Sequence, residues 1–520
     1  KTTIPDFPLF KGEKESYVYY DQDRHYDKEK FAYNVKPFNL AGLDKLQTDD
    51  IKFDGYLNTG GIFPDIDQAL VVQEDYSLGF KHITPREGYE AYGGKAVFYD
   101  TIDLSNKGLR GHGRLEYLTS VTHSEDFLFY PDSMVTSIAE KFNIESQVAR
   151  VEYPDVAAEE IRQVWFPAKD TMRLLTLKKP FRMFGEKSEM YGDLYYSPDG
   201  LTGSGKVNFE SVELASSNYR FQHHTIDADT LDFKLFTKGT QDLAVAARKY
   251  RTHVDFEQRE VEFRTNQKGS YVSFPYNNFA CYMDNIDWAM DKNEMRLYND
   301  LGTRFANIDN LSRQELLRLD MSGSDLVATN PQADSLSFFS VTARYDLQTY
   351  EIDAENVKLI RVADAAIFPD SSFVKISRGG KINTLKNAAI IADTARQYHT
   401  IERADIDITS RFRMSGKGFY QYKSGAEAVQ EVPLISISVD SARHTVATGS
   451  IPESLKFMLN PHFAFRGKMD MNSSRKELEF DGGFKTQDEC YPGMLKYWVA
   501  FDAWINPDSV RIPVQPPVRD

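Results

Sequence analysis

Two segments of this chain share one pattern without a gap. Residues 105–129 read SNKGLRGHGRLEYLTSVTHSEDFLF and residues 197–221 read SPDGLTGSGKVNFESVELASSNYRF, at a constant offset of 92 positions. Ser105, Gly108, Leu109, Gly111, Gly113, Ser124 and Phe129 recur as Ser197, Gly200, Leu201, Gly203, Gly205, Ser216 and Phe221. Arg114, Leu115, Tyr117 and Phe127 have conservative counterparts in Lys206, Val207, Phe209 and Tyr219. Such a repeat constrains the fold more than any composition figure, because each copy must be one supersecondary unit. Apolar residues two apart after a pair of glycines describe a turn feeding a half-buried strand. The glycines supply positive φ or a close backbone approach. Shorter echoes follow at 416–422 (GKGFYQY) and 463–471 (FAFRGKMDM).

The rest of the chain keeps the same rhythm. Turn clusters at Asn58-Thr59-Gly60-Gly61, 85–88 and Gly93-Gly94 separate short apolar runs such as 69–73 and 95–99. From residue 335 onward, runs of four to six residues at 357–362, 365–368, 373–376, 388–392, 404–408 and 434–439 are bounded by Asp, Pro, Gly or Asn. The 35 Phe and 29 Tyr suit strands, where aromatic rings pack on a pleated surface. The expected fold is mainly β, with several antiparallel β-sandwich or β-taco-like repeat modules in series and a few short helices. Four regions are expected: 1–100 as an N-terminal β region, 101–238 as the duplicated modules, 239–334 as a mixed region, and 335–520 as a C-terminal strand region. Two helices are expected. Residues 242–251 (DLAVAARKYR) hold helix formers without a breaker, and 312–319 opens with the capping box of Ser312 and Glu315.

Charge and cysteine usage narrow the partners. A formal charge of −15 repels phosphate backbones, so nucleic acid is not expected. No apolar run reaches the ~18 residues of a membrane helix. The chain starts at Lys1 rather than Met, which suggests a processed or excised chain, and the Pro-rich 512–517 suggests a linker to more. Cys281 and Cys490 fit no metal spacing and are either a single disulfide or two buried thiols.

Candidate chemistry is sparse. The Gly-x-Gly runs lack the Gly-Lys-Ser/Thr ending of a phosphate loop and any βαβ setting, which leaves turn glycines. Ten histidines are scattered, and adjacent His223 and His224 point to opposite faces of a strand. His82 or His253 could be brought beside a serine only by the fold. Carboxylates group at Asp21, Asp23 and Asp27, at Asp405 and Asp407, and at Asp284 and Asp287. The last pair, with Trp288 and Tyr282 beside it, is the best glycosidase-like candidate, since glycosidases need two facing carboxylates and aromatic rings stack on sugars. The aromatic runs Trp165-Phe166-Pro167 and 274–279 (FPYNNF) read as core rings at strand ends or as an exposed binding platform. No cofactor and no metal is expected.

The segment 338–376, FFSVTARYDLQTYEIDAENVKLIRVADAAIFPDSSFVKI, resembles the strand-turn-strand rhythm of the OstA-like and AsmA-like envelope proteins. The GLxGxG modules and 463–484 are similar in style, and the chain also resembles large uncharacterised envelope proteins of Gram-negative bacteria. This resemblance implies short strands stacked into an elongated β-taco or groove, a periplasmic or extracellular-surface location, and a lipid, glycan or envelope protein as partner. It carries no catalytic or ligand residue. The expectation is a non-catalytic envelope scaffold or binding protein, holding an amphipathic ligand or serving as a subunit of an outer-membrane assembly. A carbohydrate-binding or carbohydrate-active protein is the alternative.

Overall fold

The computed structural model describes residues 26, 30–38, 51–74, 76–105, 107–266, 269–299, 307–321, 325–424, 429–487 and 497–512. Antiparallel strands dominate it, at 60% strand against 6% helix, so the chain is mainly β. It divides into two compact units, residues 1–233 with 250–259 and residues 234–249 with 260–520. Asp21, Asp23, Asp27, Cys490 and the Pro-rich 513–517 lie outside the described residues.

In the first unit the strands Ala96–Ser105, Gly108–Tyr117 and Ser120–Phe129 form one meander. Ser188–Ser197, Gly200–Phe209 and Val212–Phe221 form a second, 92 positions later at every bound. Even the irregularities coincide: a register shift between Ser124 and Phe127 in one, and between Gly203 and Gly205, opposite Tyr219 and Ser216, in the other. Between the meanders each strand is broken in two. Met134–Ala139 and Lys141–Ile144 pair with the two ends of Ser120–Phe129, and the two ladders run side by side until both rejoin Ser188–Ser197.

These breaks and shifts mark a crease where the sheet folds on itself. Phe98 lies opposite Leu115, and Gly111 is four residues further along that strand, about 13 Å in a flat sheet. Yet a Cβ on Gly111 would sit 2.5 Å from the Phe98 Cζ. The Phe98 ring also lies 5.5 Å from Phe127 and 5.2 Å from Phe129, both beyond the register shift. Only a fold of the two strand halves toward each other allows these contacts. Met190 and Gly203 repeat the relation at 2.8 Å. The crease needs glycine. Gly113 has φ +141° and a Cβ there would stand 2.3 Å from the Tyr99 carbonyl oxygen, while Gly205 has φ +138° with Tyr191 O at 2.1 Å. The inner face is filled by rings: Trp165 is fully buried, 5.1 Å from Tyr92 and 4.9 Å from Tyr117.

The second unit shows the same device. Half-strands in two separate ladders, such as Asn285–Ala289 in one and Phe279–Cys281 in the other, or Glu351–Glu355 and Ile360–Val362, give way to longer strands from Leu385–Ala392 to Val499–Ile505, with one further break where Thr445–Ile451 and Met458–Asn460 share the partner Phe463–Asn472. Helix α1 (Arg313–Arg318) sits in the long connection between Glu294–Tyr298 and Asp325–Ala328. Its capping box forms as expected, with the Ser312 hydroxyl accepting from Glu315 N–H and the Glu315 carboxylate accepting from Ser312 N–H. Leu316 joins Ile308, Phe339, Leu359, Phe368 and Ile391 in a cluster that covers the outer side of the sheet there. That cover explains why 365–368 and 388–392 are apolar at every position: those strands are buried on both faces.

The expected helix at 242–251 is corrected. Leu243–Asp255 is a strand, with Ala246 and Ala247 paired to Ser273 and Val272. Tyr250, Thr252 and Val254 are buried at period two. Helix propensity is a weak preference that pairing and burial override. The runs around Pro167 and Pro275 are 3-10 turns joining hairpin strands. Proline opens each, and left-handed Asp170 or Asn278 closes it. Trp165 and Phe274 are fully buried, so at these two positions the rings are core rings at strand ends.

Candidate functional site

Asp287 and Trp288 are neighbours on the strand Asn285–Ala289, and the alternation of a strand sends them to opposite faces. Trp288 is 3% exposed, packed between the strands that place Val261 and Met295 opposite it. It therefore presents no ring to a sugar. Asp287 points outward into an ion pair with Arg264 at 2.7 Å. Against the desolvation its own burial imposes, Arg264 is held above its usual range by the Asp287 carboxylate. Asp284 is exposed in the break before this strand, where its carbonyl accepts from Thr265 N–H at 3.0 Å and its N–H donates to the Asn299 side chain. Tyr282 is half-exposed and meets Tyr271 at 5.5 Å. The structure thus gathers Asp284 and Tyr282 near one strand break, turns Asp287 to the ion-paired outer face and buries Trp288.

The other candidates resolve similarly. Asp405 and Asp407 share the outer face of His399–Ser410. Asp405 pairs with Lys386 at 2.9 Å, whose hydrogen bond lowers its pKa, and Asp407 accepts from Thr384. His82 contacts Tyr89 at 2.8 Å and Gln68, and His253 contacts Asp227 at 2.8 Å. Among the described residues, Ser146 is brought to His223 at 2.6 Å, at the exposed surface. His399 is buried between the Tyr420 hydroxyl at 2.9 Å and the Arg475 carbonyl at 2.6 Å. The carbonyl can only accept, so Nε2 carries the proton and Nδ1 accepts from Tyr420. Cys281 is a fully buried free thiol whose pKa burial pushes up. Among the described residues no three His, Cys, Asp or Glu side chains converge on a metal position, and no helix is long and apolar enough to cross a membrane.

The concave feature that the structure adds lies on the crease of the second unit. Four strands meet there in register: Ile451 opposite Gly467, Gly467 opposite Gly482, Arg466 opposite Gly483, and Gly483 opposite Ala500. The glycines form the floor of an open depression of about 520 Å³. Gly467 has φ +146°, and a Cβ there would stand 2.3 Å from Asp481 O. Pro452, Glu453, Arg466, Trp498 and Val499 also line it. The Trp498 ring lies beside Gly483, 3.6 Å from where a Cβ would be, so it covers a glycine on the neighbouring strand. The Arg466 guanidinium stacks on that ring at 4.5 Å and pairs with Glu453 at 2.6 Å. Residues 453, 466 and 498 share no motif. The echo at 463–471 marked the strand, but only the register of four strands joins them. Comparison of the chain with family models, with curated proteins and with solved structures found no match.

Proposed function

We propose that this chain is a non-catalytic scaffold or binding protein of the cell envelope, working as a subunit that presents an extended strand surface to a partner. The observation that carries the reading is the division of labour between the faces of the creased sheet. The inner face is consumed by its own rings, as in the contacts of Phe98 with Phe127 and Phe129. The outer face is set with ion pairs across strands, including Arg173–Asp193 at 2.7 Å, Arg264–Asp287 at 2.7 Å and Lys375–Glu351 at 3.0 Å. Within each unit, an outer face set with ion pairs across strands suits an assembly subunit that meets its partner from outside. Among the described residues of the first unit, an inner face packed with rings speaks for a protein partner over a lipid held inside it. The envelope location rests on the resemblance in strand rhythm.

Native mass spectrometry of the protein purified gently from its source tests this. A stoichiometric protein partner is the expected result. A bare monomer that turns over a substrate would overturn it. Carbohydrate binding is the second reading, and the depression around Trp498, Arg466 and Glu453 favours it in place of the Asp284 and Asp287 neighbourhood.

A further inference from the structure

We propose that the crease depression of the second unit is a binding site for a neutral saccharide unit, which the ion-paired Glu453 and Arg466 contact together from one side. The inference rests on the binding-protein reading and names the ligand class of one site on it.

The argument starts from size. A volume of about 520 Å³ falls in the range of roughly 300–1,000 Å³ usual for small-molecule sites. A floor of Gly467, Gly482 and Gly483 carries no side chains, so a ligand can approach the backbone closely. The charge at the site narrows the class. Arg466 and Glu453 are ion-paired at 2.6 Å, so the guanidinium is already compensated and the depression offers no net charge to an anion or a cation. The chain's −15 charge disfavours polyanions further.

What the pair does offer is a fixed donor beside a fixed acceptor. Arg466 has only donors and Glu453, ionised, has only acceptors. Vicinal hydroxyls both donate and accept, so they match such a pair. The remaining lining is apolar: Pro452, Val499 and Ala500 border the glycine floor. A ring with hydroxyls at its edge and C–H groups on its face fits both halves of that surface. Stacking on Trp498 at 4.5 Å keeps Arg466 from sampling other rotamers, which lowers the ordering cost of binding. Trp498 is therefore a positioning residue, and the pair Glu453 and Arg466 makes the contacts.

The test is isothermal titration of the full chain with neutral oligosaccharides (glucan, mannan and galactan series) and with uronic-acid oligosaccharides. Glu453→Gln and Arg466→Ala are compared with the parent, and Asp287→Asn serves as a control. Circular dichroism and melting confirm that each variant folds. The expected result is binding of a neutral glycan that weakens about tenfold or more in both variants, the loss from one charged hydrogen bond, and stays unchanged in Asp287→Asn. Binding that neither variant weakens overturns the site but leaves a glycan-binding protein. Binding of uronic oligosaccharides alone overturns the ligand class. Failure to bind any glycan, with a stoichiometric protein partner in native mass spectrometry, overturns the saccharide site and leaves the scaffold reading. Failure of both removes both.

Discussion

Three alanine substitutions in the first unit separate the two reasons a crease needs glycine. Gly200 has φ +138° but nothing within 4 Å of an added Cβ, so Gly200→Ala tests backbone strain alone. Gly111 has no positive φ, but a Cβ there would meet Phe98 Cζ at 2.5 Å and Phe129 Cε2 at 2.8 Å, so Gly111→Ala tests crowding alone. Gly113 combines φ +141° with a Cβ position 2.3 Å from Tyr99 O, so Gly113→Ala tests both. Strain in the region that only glycine favours costs about 1–3 kcal/mol, and alanine recovers about 0.4–1 kcal/mol by stiffening the unfolded chain. A net cost of about 1–2 kcal/mol is expected for Gly200→Ala. Overpacking of the Phe98 and Phe129 rings adds a cost of about 1–3 kcal/mol, less the same recovery, for Gly111→Ala. At Gly113 the obstacle is a carbonyl within a paired strand that cannot turn aside. There the two costs combine to about 3–5 kcal/mol, a large share of a typical stability of about 5–15 kcal/mol. Urea unfolding followed by tryptophan fluorescence measures these values on the transition that a Trp165→Phe variant identifies as that of the first unit, with unchanged slope confirming that stability is what moved. A Gly113→Ala variant no less stable than Gly200→Ala would refute the crease argument.

Other consequences can be checked one at a time. His399 is buried and its pKa is lowered from 6.5 by desolvation, so its contribution to stability is complete above pH 6.5 and is lost as pH falls toward the folded value. His399→Gln should flatten that part of the stability–pH curve, and an unchanged slope would remove the histidine from the account. Trp165→Ala should cost about 3–5 kcal/mol in unfolding free energy, because a fully buried indole leaves a large cavity among Tyr92 and Tyr117. A cost near zero would mean that the interior is not packed as described. Ser312→Ala should cost about 1 kcal/mol through the lost cap of α1. Faster amide exchange confined to the helix and its connection is the expected signature, whereas faster exchange in the strands under it would show that the cover is not local.

The sequence determined most of what is local. Strand bounds follow the alternation around the GLxGxG pattern, because side chains on a strand must alternate between faces. The cap of α1 follows from Ser312 and Glu315, since both partners lie within one turn. The Pro167 and Pro275 turns follow from proline's fixed φ and the tolerance of Asp and Asn for the left-handed region. The separation of Asp287 from Trp288 follows only once 285–289 is known to be a strand, because adjacent strand residues cannot share a face. Tertiary structure decided the rest. Leu243–Asp255 is a strand because neighbours pair with it, against the preference of its Ala, Arg and Lys residues. Runs that read as plain apolar strands are buried twice over because a helix from a distant connection covers them. The depression at Glu453, Arg466 and Trp498 exists only once four strands are in register. Local preferences act over a few residues and are written in consecutive positions, whereas a site on a sheet is set by register across strands, which depends on every pairing before it.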